Sequence, residues 1–151
     1  MPKYQTQLFS AAQADLRYSV AFAKRRLRDL KANRRKLNAI GSAIGMALNG
    51  DTTDVHVAYS SPDSVYVTMD RLESLKCQRL EMVLNGIINL PDAVATDTRD
   101  WPNSLNRDYH FKVADIRVTV AAYVREDSPT CRKVLVKTEL KPQDVYEIRC
   151  D

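Results

Sequence analysis

The N-terminal third of the chain has the seven-residue hydrophobic period of a helix that is buried along one side. Its apolar residues fall into two registers: Phe9, Leu16, Ala23 and Leu30 in the first, with Val20 and Leu27 in the second. Residues 5–48 contain no proline. The pattern predicts an amphipathic helix that packs along one side or pairs in a coiled coil. Because Arg34 and Gly41 interrupt the stripe, we expect a break or a second helix between Asn33 and Asn49.

Alternation of polar and apolar residues replaces this period after the turn signal Asn49-Gly50. Residues 55–59 and 65–69 alternate on either side of a Ser-Ser-Pro-Asp turn, which predicts a β-hairpin. The Asp70-x-x-Glu73 spacing has the form of a capping box and predicts that a helix begins there. We expect that helix to stop at Asn85-Gly86.

In the remainder of the chain, the sequence predicts one long connection followed by strands. Residues 89–107 lack a regular period and are predicted to be a loop. Strands are predicted within 111–124, after the turn at 126–129 with Val134 and Val136 on one face, and within 145–150. A bulge is predicted near Ala114-Asp115 and a type I turn at 141–144.

The predicted fold class is therefore α+β: a long N-terminal amphipathic helix, then a β-hairpin, a helix and a three-stranded antiparallel β segment that together form one sheet. Residues 1–48 are expected to form a helical region with a basic face, and residues 49–151 an α+β domain. The alternative is one compact unit that includes the helix.

Positive charge is concentrated on the predicted N-terminal helix. Eight of the thirteen residues from Lys24 to Lys36 are basic and one, Asp29, is acidic, although the whole chain carries only +4. The candidate residues for binding nucleic acid or an acidic protein are Lys24, Arg25, Arg28, Lys31, Arg35 and Lys36. A solvated outer face is the ordinary alternative, but such faces usually mix the two signs of charge.

A second candidate surface is the predicted loop that contains the only tryptophan. Arg99, Trp101 and Arg107 are residue types that are enriched at binding hot spots, and we expect them to form a partner-binding loop. The alternative is that Trp101 fixes the loop to the core.

Catalytic chemistry has little support in the sequence. Asp97, Asp100, Asp108 and His110 are weak candidates for a metal site, because carboxylates and imidazole bind divalent ions. Aspartate is also an ordinary loop residue. Neither a phosphate-binding glycine loop nor a close cysteine pair occurs, so we identify no catalytic residue and expect no cofactor or metal.

Three widely spaced cysteines, Cys77, Cys131 and Cys150, are expected to be reduced thiols of a cytoplasmic protein. The N-terminus lacks the apolar core of a secretory signal, and no apolar run is long enough to cross a bilayer. We expect a non-enzymatic binding or assembly protein that uses its N-terminal helix and β domain to dock a partner protein or to form a homo-oligomer. We expect no membrane partner. The alternatives are a sequence-nonspecific nucleic-acid-binding protein and a metal-dependent hydrolase.

Overall fold

The computed structural model describes residues 3–61, 63–138 and 144–151. The chain divides after Arg34 into two units. The first unit consists of helix α1 (Lys3–Ala32), and helix α2 (Arg34–Ala47) leads into the second. The predicted break therefore occurs at Asn33. The predicted helical region of residues 1–48 spans the division, because Ile40 and Ile44 are buried in the core of the second unit.

The second unit continues from α2 with seven strands and one helix within the described residues. They are β1 (Val55–Ser61), β2 (Ser64–Leu72), α3 (Gln78–Ile88), β3 (Ala93–Asp100), β4 (Asn106–Val113), β5 (Ile116–Val124), β6 (Cys131–Thr138) and β7 (Asp144–Cys150). Five strands form a sheet in the order β1-β2-β5-β4-β3, and β6 and β7 form a second sheet of two strands. The predicted α+β class is confirmed. The single antiparallel sheet is corrected to a mixed sheet, since β2 and β5 are parallel, plus a separate two-stranded sheet.

One face of the five-stranded sheet, here called the helix-covered face, packs against α2 and α3. Strand residues such as Val67, Val118 and Val120 are fully buried there against Ile44 and Val83. Full burial of each such side chain contributes about 1.5–3 kcal/mol. The alternation of side chains along each strand sends the polar residues to the other side, here called the polar face.

Helix α3 begins and ends later than its sequence signals predict. Strand β2 runs through Asp70 to Leu72, so the first three residues of the predicted capping box lie in a strand, and the N-cap residue is Cys77. The helix also continues past Gly86. A side chain at Gly86 would lie 3.3 Å from the Ala43 carbonyl oxygen, so this glycine allows α2 and α3 to approach closely.

Two further expectations in the C-terminal half are corrected. The predicted loop of residues 89–107 contains β3, an edge strand that pairs antiparallel with β4. The predicted bulge at Ala114-Asp115 is a two-residue turn between β4 and β5, where Ala114 has a φ of 55°. The predicted hairpin of β1 and β2 is confirmed, although Pro62 of its turn lies outside the described residues. The predicted turn at 141–144 also falls largely outside them.

Strands β6 and β7 are joined by a disulfide, which corrects the expectation of three reduced thiols. Cys131 and Cys150 are directly opposite each other in the strand register, with Cα atoms 4.2 Å apart, and their sulfurs are bonded. Strand pairing alone brings these two cysteines together, and their sequence spacing carries no sign of it. Cys77 is the free cysteine and is half-buried.

Candidate functional site

The apolar stripe of α1 is exposed from Phe9 to Leu27, and Leu30 at its end is half-buried. The side chains of Phe9, Leu16, Val20 and Leu27 are 68, 66, 53 and 51% exposed. A helix surface that repeats apolar residues at heptad spacing is typical of one that packs against another helix. We call the residues Phe9, Leu16, Val20, Ala23, Leu27 and Leu30 the apolar seam. No helix in the described part of the chain is long and apolar enough to span a membrane.

The predicted basic residues lie on both helices. Lys24, Arg25, Arg28 and Lys31 belong to α1, whereas Arg35 and Lys36 belong to α2. The Arg28 side chain comes within 4.0 Å of Asp29, and both side chains remain exposed to solvent.

Lys36 forms an ion pair with Asp115 of the β4–β5 turn. The hydrogen bond from Lys36 holds the pKa of Asp115 below its ordinary value. Lys36 thus has a structural partner within the second unit, which distinguishes it from the cations on α1.

On the polar face of the second unit, the structure brings Arg99 and Trp101 together. The Arg99 guanidinium carbon lies 4.5 Å from the centre of the Trp101 ring, a cation–π distance. The indole Nε1 donates a hydrogen bond to Asp108 Oδ2 at 3.0 Å. Asp108 is 4% exposed, so this bond ties Trp101 to a buried carboxylate. Part of the predicted partner-binding loop is therefore anchored to the sheet, and Trp101 remains 37% exposed.

A cleft of about 480 Å³ lies beside this cluster on the polar face. Its lining includes His110, whose Nδ1 is 3.3 Å from Asp97 Oδ1 but not in hydrogen-bond geometry. Lys112 and Arg117 are opposite each other across β4 and β5 and also line it. Two cations, an imidazole and several hydroxyl groups are suited to holding a polar or anionic group.

Arg107 and Asp100 point to the helix-covered face instead. Arg107 Nε and Nη2 donate to the two carboxylate oxygens of Asp100 at 2.6 and 2.9 Å. Ile148 of β7 completes the network, because its N–H donates to Asp100 and its carbonyl accepts from Arg107. Burial raises the pKa of Asp100, but the hydrogen bonds from Arg107 and Ile148 outweigh it and hold that pKa below its ordinary value. Hydrogen bonding to Asp100 raises the pKa of Arg107.

The four weak metal candidates do not form one cluster. Asp97, Asp108 and His110 share the polar face, whereas Asp100 lies on the other side of the sheet. Among the described residues, no group of three or more acidic, histidine or cysteine side chains is arranged to hold a metal ion. Arg107 likewise lies on the opposite side of the sheet from Arg99 and Trp101, because side chains alternate between the two faces of a strand. The sequence shows this separation only if residues 93–100 are recognised as a strand.

No protein-family model, curated protein or solved structure matches the chain.

Proposed function

We propose that this protein is a non-enzymatic binding and assembly protein that docks a helical protein partner along α1. The observation that carries the proposal is the exposure of the apolar seam, where Phe9 and Leu16 are each about two-thirds exposed. Contiguous apolar surface on a protein is typical of an interaction site. The α+β unit supplies a second surface at Arg99 and Trp101, which combine an exposed aromatic ring with a cation.

A helical peptide with leucine at its seam positions and glutamine beside them tests the docking site. We expect the full-length protein to bind this peptide, and the double variant Leu16→Ser/Leu27→Ser to bind it about a hundredfold more weakly. The estimate corresponds to a loss of about 3 kcal/mol of apolar burial from two leucines.

The matched control places the same new residue on the outer side of α1. Ala14→Ser/Ala21→Ser changes two exposed positions away from the apolar seam and is expected to bind as the unaltered protein does. Circular dichroism of each variant checks that α1 stays helical. Equal binding by all three proteins, or binding by none, contradicts the proposal.

Nucleic-acid binding is the second candidate, because five cations of the α1 segment from Lys24 to Lys31 are exposed and the segment holds a single acid. We expect such binding to be independent of sequence, with a log–log salt slope of about −3 to −4 if four phosphates are neutralised. Replacing Lys24, Arg28, Lys31 and Arg35 by glutamine should abolish it. A random duplex that fails to bind at low salt excludes this candidate.

The cytoplasmic location remains a prediction, and the Cys131–Cys150 disulfide argues against it. Stable disulfides persist in oxidising compartments and are rare in the cytosol. Trapping the free thiols at the moment of cell lysis measures the native redox state. Three trapped thiols support a reducing compartment, and one supports an oxidising compartment.

A further inference from the structure

The residues that flank the apolar seam of α1 are basic or small. With Val20 and Leu27 at heptad position a, the seam residues Phe9, Leu16, Ala23 and Leu30 occupy position d. The flanking e positions are Ser10, Arg17, Lys24 and Lys31, and the flanking g positions are Ala12, Ser19 and Arg26. These seven positions hold four cations and no acid. In paired helices, the charges at e and g determine the choice of partner.

The two acids of α1 lie away from the seam. Asp15 and Asp29 both occupy position c, on the outer side of the helix. Asp29 is within 4.0 Å of Arg28, which is at position b and also outside the flanks. The basic flanks are therefore not balanced by acids of the same helix at the edge where a partner helix would lie.

Pairing with a second copy of α1 gives no attractive flanking contact in either orientation. In a parallel pair each g residue faces an e residue of the other helix, which sets Arg26 against Lys31 and leaves Ala12 and Ser19 opposite cations. In an antiparallel pair, e residues face e residues, and three of the four are basic. Like charges at such positions are destabilising.

From the exposed seam and its basic flanks we infer that α1 pairs with a helix of a different protein that carries acidic residues on both sides of its own apolar seam. The inference rests on the proposed docking function and specifies the partner. An acidic flank meets Arg17, Lys24 and Lys31 with opposite charge along three successive heptads. Nucleic acid, by contrast, would contact the cations without using the seam.

Two otherwise identical peptides test the inference on the unaltered full-length protein, measured by fluorescence anisotropy. Both have leucine at a and d, and one has glutamate at e and g where the other has lysine. We expect the glutamate peptide to bind at least tenfold more tightly, with the preference shrinking as salt screens the flanking charges. Equal affinity for the two peptides overturns the inference while leaving seam docking intact.

A pair of charge-matched variants locates the charges responsible. Lys24→Glu/Lys31→Glu brings the net charge of the flanks from +4 to zero and should abolish the peptide preference, whereas Arg25→Glu/Arg28→Glu makes the same charge change at outer positions and should keep it. An equal loss in both variants overturns the inference in favour of diffuse electrostatics. Because the peptide comparison uses unaltered protein, a variant that loses helicity does not weaken the test.

Two further outcomes can be told apart by experiment: self-association of the protein through the seam, and failure of every peptide to bind. If the protein alone forms a dimer by light scattering, and Leu16→Ser/Leu27→Ser dissociates it, the occupant of the seam is a second copy and the inference is wrong. If neither charged peptide nor the glutamine peptide binds, the proposed docking function fails together with the inference.

Discussion

Removing the Asp100 carboxylate should weaken the attachment of the β6–β7 hairpin to the main sheet at a measurable cost in stability. Asp100 accepts two hydrogen bonds from Arg107 and a third, at 2.8 Å, from the Ile148 N–H. The Asp100 and Arg107 side chains are 12 and 23% exposed. In Asp100→Ala, Arg107 remains half-buried without its counter-ion, and the Ile148 N–H loses its acceptor.

The expected loss of unfolding free energy is about 3 kcal/mol. Removing one partner of a buried ion pair costs roughly 3–5 kcal/mol, and the residual exposure of Arg107 with its remaining bond to the Ile148 carbonyl places the value at the lower end. A domain of this size has a total stability of roughly 5–15 kcal/mol, so the loss should be evident in urea unfolding. Trp101 fluorescence and far-ultraviolet circular dichroism provide two probes of the transition.

The chain contains a matched control with the same chemistry at the surface. Arg125 binds both oxygens of Asp127 at 2.9 and 2.7 Å, but these side chains are 49 and 70% exposed. Asp127→Ala should not change stability measurably, because exposed pairs are well solvated when separated. A loss in Asp100→Ala no larger than in Asp127→Ala would refute the reasoning. Replacing both Asp100 and Arg107 by leucine should recover part of the loss, because no unpaired charge then remains.

Three further outcomes follow from the second unit. Because folding lowers the pKa of Asp100, its ionised carboxylate stabilises the fold fully above the ordinary pKa of 3.8, and this contribution is lost as the pH falls through the folded-state pKa. Urea unfolding at a series of pH values should therefore show a constant difference in stability between the unaltered protein and Asp100→Asn above pH 3.8. That difference should disappear as the pH falls further. Serine at Cys131 and Cys150 should lower stability by about 2–4 kcal/mol, and native protein should titrate one thiol with Ellman's reagent rather than three. Thermal unfolding should show that Gly41→Ala is stabilised by about 0.5–1 kcal/mol, because the added methyl group meets open space in a helix interior. Gly86→Val should be destabilised, because its side chain would crowd the Ala43 carbonyl. The reverse order of stability would contradict the packing of α2 on α3.

Local sequence patterns predicted two kinds of element: those stabilised mainly by local interactions, and those whose buried side chains form one continuous face. The heptad stripe indicated α1, and the two alternating runs around residues 60–63 indicated the β1–β2 hairpin. Strand β3 could not be recognised because its residues are almost all exposed, so its polarity does not alternate. Its strand conformation comes from hydrogen bonding to β4, which is information from another part of the chain.

The candidate sites were predictable only to the level of residue type. The apolar seam and the cations on α1 follow from the helical period, whereas the exposure of the seam is visible only in the structure. In contrast, the grouping of Arg99 with Trp101 and of Asp100 with Arg107 depends on which side of β3 and β4 each residue faces. One unrecognised strand was enough to merge two separate clusters into a single predicted loop. The disulfide was missed for a related reason, since it depends on the register of β6 with β7.

The central position of β5 has a consequence for the order of folding during synthesis. β5 lies between β2 and β4 in the sheet, and its parallel pairing with β2 places Val67 opposite Val120. These two residues are separated along the chain by α3, β3 and β4. Until β5 leaves the ribosome, the β1–β2 and β3–β4 pairs cannot join into one sheet. We therefore expect nascent chains to become resistant to protease only after β5 has emerged. The five-stranded sheet thus closes only after β5 is available, and long-range closure of this kind is slow.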